Sequence, residues 1–424
     1  MVESGTLRRH SIWMMYGHGI AVAFQALYFG LIGRTLGSSE YGAFVGVVAL
    51  INVLSQFSSL GMEMILVRNL SRDQSTFAST WGKAIRLSCY GFVVLLMAAL
   101  LIGRFTLRAE LRALIPYIAL SDGLFGKFVQ LASRAFQGVS QLGRTAQLIA
   151  LTNIARAFTA LVLFIASHHW RFHANALLWV KVYWFSSSLT AAIALGLVTM
   201  AMGWPKFERM SWRELVDGLG FALSNSSIST YNDLAKTFLA TMGQLHAAGV
   251  YSAAYRVIDV ASIPIYSIYA AASPQFFRDG KQGIRKSVPL AHKLLKHAIP
   301  YGVILAVGLS LTSPAVPYFF GNTFTESSVV VRWLCLLPLI RGLHYAWGTT
   351  ITGSSSQWHR TRTQTGAALL NLLLNYLLIP RWSWRGAAIA SLVTDGALAA
   401  SNWITVCWLR SREKTHQIVS KQTA

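Results

Sequence analysis

About twelve runs of mostly apolar residues divide this chain, each close to the ~20 residues that an α-helix needs to cross the hydrocarbon core of a bilayer. They fall at 12–32, 42–62, 86–103, 113–134, 146–166, 174–199, 216–241, 249–273, 292–312, 328–350, 364–380 and 386–408. The connections between them are short, so none has room for an extramembrane catalytic domain. Composition agrees: 54% of the 424 residues are hydrophobic and only 12% charged, about half the charge of a soluble domain. A single core stops growing at roughly 250–300 residues, so the apolar excess must face lipid. The first run follows Arg8 and Arg9, as a signal peptide would. It is too long for one, and Ile32-Gly33-Arg34 has no small-residue cleavage pattern, so it reads as a retained first membrane helix. The expected fold class is an all-α integral membrane protein.

The charge that remains is lopsided, 37 Lys+Arg against 15 Asp+Glu for a formal +22. In a soluble protein that balance would suggest nucleic acid. Here most of the cations collect in alternate loops, among them Arg68, Arg72, Lys83, Arg86, Arg144, Lys206, Arg278, Lys281, Arg285, Lys286, Arg360, Arg410 and Arg412. The opposite loops hold Arg34, Arg104, Arg108, Arg112, Arg171, Arg381 and Arg385. Lys/Arg bias sets membrane orientation, so the first side, with both termini, is expected to be cytoplasmic, and no nucleic-acid partner is required. Trp170, Trp204, Trp212, Trp333, Trp358, Trp382 and Trp384 fall near proposed helix ends, as an interfacial aromatic belt would. Cys89, Cys335 and Cys407 are scattered within or beside apolar runs, and neither a disulfide framework nor a metal site is supported.

Some cations lie inside the spans: Lys127, Arg156, Lys181, Lys236, Arg256, Arg332 and Arg341. Lys181 and Arg332 are near enough to helix ends to snorkel. A charge at mid-helix costs roughly 2.5–3.5 kcal/mol on insertion scales, so the other five need compensation. The acids counted at depth are Asp122, Asp233, Asp259 and Asp395. Asp233 precedes Lys236 by three residues, and Arg256 precedes Asp259 by three, which puts each pair on one helix face. Mutual neutralisation within a helix and the lining of a hydrated cavity are both compatible with that spacing. In the fourth span Lys127, Gln130, Arg134, Gln137 and Gln141 form one continuous polar stripe, which lipid would not tolerate. Weaker stripes occur elsewhere, including Asn225-Ser229-Asn232-Lys236 and Asn371-Asn375. Single Ser, Thr and Asn residues are often interhelical glue; a polar face on so many helices argues for a hydrated interior. Five deep cations against four acids make that interior positive, and a phosphate or diphosphate suits Arg and Lys. Tyr251, Tyr255, Tyr266 and Tyr269 around Arg256 would stack on sugar rings or serve as packing. Pro264 and Pro338 stand at points where spans eight and ten would kink.

Two internal echoes suggest duplicated halves, 1–203 and 204–424. Tyr41-Gly42-Ala43-Phe44 parallels Ala248-Gly249-Val250-Tyr251, and Arg144-Thr145 with Asn153 recurs as Arg362-Thr363 with Asn371.

Three stretches resemble the Wzx-like polysaccharide flippases of the multidrug/oligosaccharidyl-lipid/polysaccharide (MOP) exporter superfamily. They are Leu36-Gly37-Ser38-Ser39-Glu40-Tyr41-Gly42 leading to Gly61 and Arg68, Asp233 through Gly249-Val250-Tyr251-Ser252-Ala253-Ala254-Tyr255-Arg256 to Pro274, and Asn371 through Asn375 and Ile379-Pro380 to Gly386-Ala387-Ala388. With the helix count they cover nearly the whole chain. The resemblance implies two six-helix bundles around a central cavity. It also implies non-enzymatic flipping of undecaprenyl-diphosphate-linked oligosaccharide across the bacterial inner membrane by alternating access, for surface polysaccharides such as O-antigen or exopolysaccharide. No cofactor is expected beyond H⁺ or Na⁺ coupling, and the implied partners are membrane lipid and polysaccharide polymerase, chain-length and export machinery. Arg156, Lys236, Arg256 and Arg341 are assigned to the diphosphate or acidic sugar, Lys127 and Arg134 to the cytoplasmic entrance, and Asp233 and Asp259 to coupling or counter-charge. Span one offers His18, Gln25 and Tyr28 but no deep acid, unlike the drug exporters, and no deep Arg, unlike the peptidoglycan-precursor flippases, whose fourteen spans exceed these twelve. The alternatives are an ion-coupled exporter of small cations, which would want an acidic cavity, and a membrane polymerase or glycosyltransferase, for which the sequence has neither a D-x-D-like site nor a large external loop.

Overall fold

The computed structural model describes residues 4–208, 211–354 and 357–422, and among these every regular element is helical. In chain order they are α1 (Ser4–Ser58), α2 (Met62–Arg72), α3 (Phe77–Thr106), the short α4 (Ala109–Arg112) and α5 (Ile115–Ile118), α6 (Gly126–Gly138), α7 (Leu142–His169), α8 (Ala176–Met202), α9 (Trp212–Thr241), α10 (Leu245–Gly280), α11 (Ile284–Thr312), α12 (Val316–Phe320), α13 (Ser327–Leu334), α14 (Leu337–Gly353) and α15 (Gln357–Gln422). Every apolar run of the sequence falls mostly on helix, and two helices carry two runs each. α1 turns at Gly37, where φ is 71°, and α15 turns at Ser383, where φ is 51°.

Among the described residues, seven stretches meet the length and hydropathy of a membrane span, the first of them, Gly19–Ser58, long enough at 40 residues for two passes. The count is lower than twelve partly because polar residues depress the local hydropathy. Asn225, Asn232, Asp233 and Lys236 do so in α9, and Asn371, Asn375, Asp395 and Asn402 in α15. The fourth run is also broken into short pieces: α5 passes into a seven-residue π-helical stretch, Ala119–Phe125, before α6 begins.

Local chemistry explains the helix ends. Asn175 caps α8, its side-chain oxygen accepting from the Leu178 N–H at 2.9 Å. Ser211 and Glu214 form a reciprocal capping box at the start of α9. Pro338, expected to kink the tenth run, instead opens α14, at a position where its missing N–H costs no hydrogen bond. The second run breaks at Leu60 and Gly61, both with positive φ, so that α2 starts in a new direction.

The chain divides into two compact units. The first comprises Met1–Ser229, Lys236–Gly249 and Phe319–Thr323; the second comprises Thr230–Ala235, Val250–Tyr318 and Phe324–Ala424. In the first, Met62, Ile65, Leu66, Trp81, Phe136 and Leu148 pack into one buried cluster. In the second, Ile265, Phe276, Ile284, Leu295, Trp347 and Ile351 do the same. Large apolar side chains also point outward: Val94, Met97, Leu101 and Phe105 along α3, and Ile304 and Leu311 along α11, are exposed. Such a surface would aggregate in water and suits lipid.

Two glycines of the first sequence echo meet in the first unit. A Cβ on Gly42 would collide with the Leu245 carbonyl, and one on Gly249 would collide with the Ser38 carbonyl. The echo therefore marks a close backbone crossing of α1 and α10, possible only where both surfaces are small. Ser38 Oγ and His246 Nδ1, 2.7 Å apart, hold the same crossing.

Of the tryptophans assigned to an interfacial belt, Trp170, Trp204, Trp333, Trp358 and Trp382 are exposed. Trp384 is not: it is buried, and its Nε1 donates to Glu326 at 3.2 Å. The side chain of Trp212 lies outside the described residues.

Candidate functional site

The deep charges are paired between helices more than along them. In the second unit Arg341 projects from α14 toward α10. Its Nη1 donates to Asp259 Oδ1 at 2.9 Å and its Nη2 to the Tyr255 hydroxyl at 2.7 Å. The guanidinium carbon stands 5.1 Å from the Tyr255 ring centroid, within cation–π range. Tyr255 and Asp259, four residues apart on α10, share the face that Arg341 meets. The Tyr255 hydroxyl in turn donates to Asn232 Oδ1 at 3.2 Å.

Arg256, expected to neutralise Asp259 one turn away, is only 3.9 Å from its Oδ2. The shorter partner of Asp259 is Arg341. Asp395, almost fully buried on α15, lies 3.9 Å from Arg341 Nε, and its Oδ1 accepts no hydrogen bond, with His344 Nε2 3.6 Å away. Asp259 is the open member, its side chain 37% exposed against 6% for Arg341. Of the four tyrosines considered for sugar stacking, Tyr251, Tyr255 and Tyr269 are buried and Tyr266 is exposed, with Tyr345 packed edge-on to it at 5.7 Å.

The first unit repeats this motif with different helices. Arg156 of α7 donates from Nη2 to Asp122 Oδ1 at 2.9 Å, Asp122 being carried by the π-helical stretch. The Tyr183 hydroxyl of α8 donates to the same carboxylate oxygen, and the guanidinium stands 5.2 Å from the Tyr183 ring centroid. Each unit thus holds an arginine clamped between one aspartate and one tyrosine. In the second unit the tyrosine accepts from the arginine; in the first it donates to the aspartate.

Lys127 is held differently. Its ammonium is 2.9 Å from Glu63 Oε1, which also accepts from the Ser59 hydroxyl at 2.7 Å, and both side chains of the pair are nearly buried. Glu63 was not among the acids counted at depth, because the break at Leu60–Gly61 places it at the start of α2, where it faces α6. Arg134 donates to Gln137 at 2.6 Å on the same helix, so the polar stripe holds from Lys127 to Gln137. Gln141 leaves it, lying beyond a turn at Ser140 where φ is 63°. Lys236 is buried in the first unit, whereas Asp233, half-buried, falls in the second. Lys127, Arg156 and Arg341 therefore each have a carboxylate within 2.9 Å.

The second echo has a physical counterpart. Arg144, near the start of α7, lies 5.2 Å from the Phe136 ring, and Arg362, near the start of α15, lies 5.4 Å from the Trp358 ring. Thr145 donates to the Ser133 carbonyl and Thr363 to Asn402. Asn371 donates to Thr394 at 3.1 Å and accepts from Asn375 at 2.7 Å.

Comparison with known proteins gives the family of the chain. The polysaccharide biosynthesis protein family matches residues 7–278. The chain is 22% identical over 401 residues to the probable low-salt glycan biosynthesis flippase Agl15 of Haloferax volcanii, covering 92% of this chain and 81% of that protein. Its fold is similar to an inward-facing multidrug resistance MATE family transporter of the MOP superfamily, with TM-score 0.70, 16% identity, and 96% and 99% of the two chains covered. It is also similar to the lipid II flippase MurJ in an inward closed conformation, with TM-score 0.71, 10% identity, and 93% and 87% covered. The chain belongs to the polysaccharide biosynthesis protein family, and its all-helical, multi-pass fold is the one seen in transporters of the MOP superfamily.

Proposed function

We propose that this protein flips undecaprenyl-diphosphate-linked oligosaccharide across the bacterial inner membrane by alternating access of two six-helix halves, 1–203 and 204–424, with both termini cytoplasmic. The observation that carries the reading is the arginine–aspartate–tyrosine clamp found once in each unit. A guanidinium held by one carboxylate in a low-dielectric setting exchanges that partner for a diphosphate at little net cost, since both are bidentate acceptors of the same fork. Arg156 and Arg341 engage the diphosphate in this scheme, Arg256 and Lys236 add to the positive field, and an acidic sugar is the cargo that field favours. Asp259, partly exposed and freed from Arg341, is the group that would take up a proton or Na⁺, with Asp233 as a second counter-charge. Arg134 lines the entrance, and Lys127, through Glu63, fixes its wall. Tyr266 is the tyrosine with a face open to a sugar ring. Deletion would also leave the polymerase and chain-length partners without substrate.

The test is Arg156→Ala and Arg256→Ala in the native host. Surface polysaccharide should be lost while the protein remains inserted at normal abundance. Wild-type polysaccharide in both variants would overturn the site assignment, and resistance to small cationic drugs on overexpression would favour an ion-coupled exporter instead.

A further inference from the structure

Within the first unit, an open recess of about 590 Å³ lies where α7 ends and the chain turns into α8. Arg34 of α1 faces it together with Arg171, His168, His169 and His173 of the connecting segment. Among the described residues that line it, none is a carboxylate. Its lining residues differ from those of the Arg156 and Arg341 clamps.

The wall is held by specific contacts. Arg34 Nε donates to the Phe319 carbonyl at 3.0 Å, which anchors one edge of its guanidinium. The His168 ring stacks on Phe164 with ring centroids 6.5 Å apart and planes within 10°. Arg171 adopts φ 50°, a left-handed conformation that costs a non-glycine residue and so must be imposed by its surroundings. Near this end of α8, Glu40 Oε2 accepts from the Ala176 N–H at 2.7 Å, beside the Asn175 cap. Two guanidiniums and three imidazoles converge on a space large enough for a small polyoxyanion. Guanidinium forks match the spacing of phosphate oxygens, and imidazole N–H groups add donors without requiring charge.

We infer that this recess binds a phosphate-bearing anion, either a diphosphate or a phospholipid headgroup, at a site separate from the two clamps. The inference rests on the recess alone and stands or falls independently of the flippase reading.

The test is equilibrium binding of radiolabelled inorganic pyrophosphate to the full chain in phosphatidylcholine nanodiscs at low salt. Wild-type protein should bind, and R34Q/R171Q should weaken binding by at least about tenfold, the scale expected when two charge-assisted forks are lost. H168Q/H173Q, which keeps both guanidiniums, should weaken it less. R171Q alone, at an exposed turn, gives the same direction of change should the double variant fail to assemble. Replacing part of the phosphatidylcholine with phosphatidylglycerol separates the two sources: competition identifies a lipid headgroup as the occupant, and its absence identifies a diphosphate. Undetectable binding by wild-type protein, or equal binding by wild type and R34Q/R171Q, would overturn the inference.

Discussion

Replacing Lys127 with methionine tests whether its charge serves the structure or the cargo. The ammonium sits 2.9 Å from Glu63, with side-chain exposures of 5% and 9%, so neither charge can turn to solvent. Removing one member of such a pair leaves an uncompensated buried charge, which costs about 3–5 kcal/mol. Glu63 keeps the 2.7 Å hydrogen bond from Ser59, which places K127M near the lower bound, about 3 kcal/mol, or roughly 150-fold in the unfolding equilibrium. Removing both charges in E63Q/K127M relieves the stranded carboxylate and should recover most of that loss. A double-mutant cycle on detergent-purified protein, read as thermal or denaturant unfolding, should return a coupling energy of about 2–3 kcal/mol. A cycle that closes at zero, or K127M as stable as wild type, would refute the claim that Glu63 and Lys127 act as a buried pair.

Arg341→Lys should abolish polysaccharide export although charge is retained, because a single ammonium cannot make the divergent bonds to Asp259 and Tyr255; export assayed by surface polysaccharide decides it. Gly42→Ala or Gly249→Ala should destabilise the first unit by about 1–3 kcal/mol, the range for overpacking, since each added methyl meets a backbone carbonyl; unfolding of the purified variants measures this. Asn371→Ala strands the donor of Asn375 and the acceptor of Thr394 and should cost about 1–3 kcal/mol, while an exposed control such as Leu373→Ala should cost far less in the same assay. Tyr266→Ala should lower export with little change in stability, whereas Tyr255→Ala should reduce both, because only the second is buried.

Hydrophobic run length was legible from the sequence, and so were the deep cations, because apolar length and mid-span charge are one-dimensional properties. Partners were not. Arg256 and Asp259 have the spacing of an ion pair along one helix, yet Asp259 binds Arg341, since the choice depends on how α10 and α14 are rotated against each other. Glu63 shares the polar stripe Asn52-Ser55-Ser59-Glu63 of the second run, but its partner Lys127 is set by a break at two positive-φ residues that turns it from a helix end to a face opposite that lysine. Asp122 was counted, but its pairing with Arg156 depends on a π-helical stretch that apolar periodicity does not announce. The glycine echo was visible as a repeat, and its cause, a backbone crossing, only in three dimensions.

Flipping and polymerisation differ in the leaflet in which lipid-linked repeat units accumulate when the gene is deleted. Inside-out and right-side-out vesicles, probed with a glycan-specific reagent that does not cross membranes, report it. Loss of a flippase leaves the repeat units in the cytoplasmic leaflet, with any residual polymer of normal chain length, and R341A should give the same phenotype. Repeat units on the outer leaflet, or shortened polymer with no lipid-linked intermediate behind it, would contradict a flippase and point to the polymerase reading.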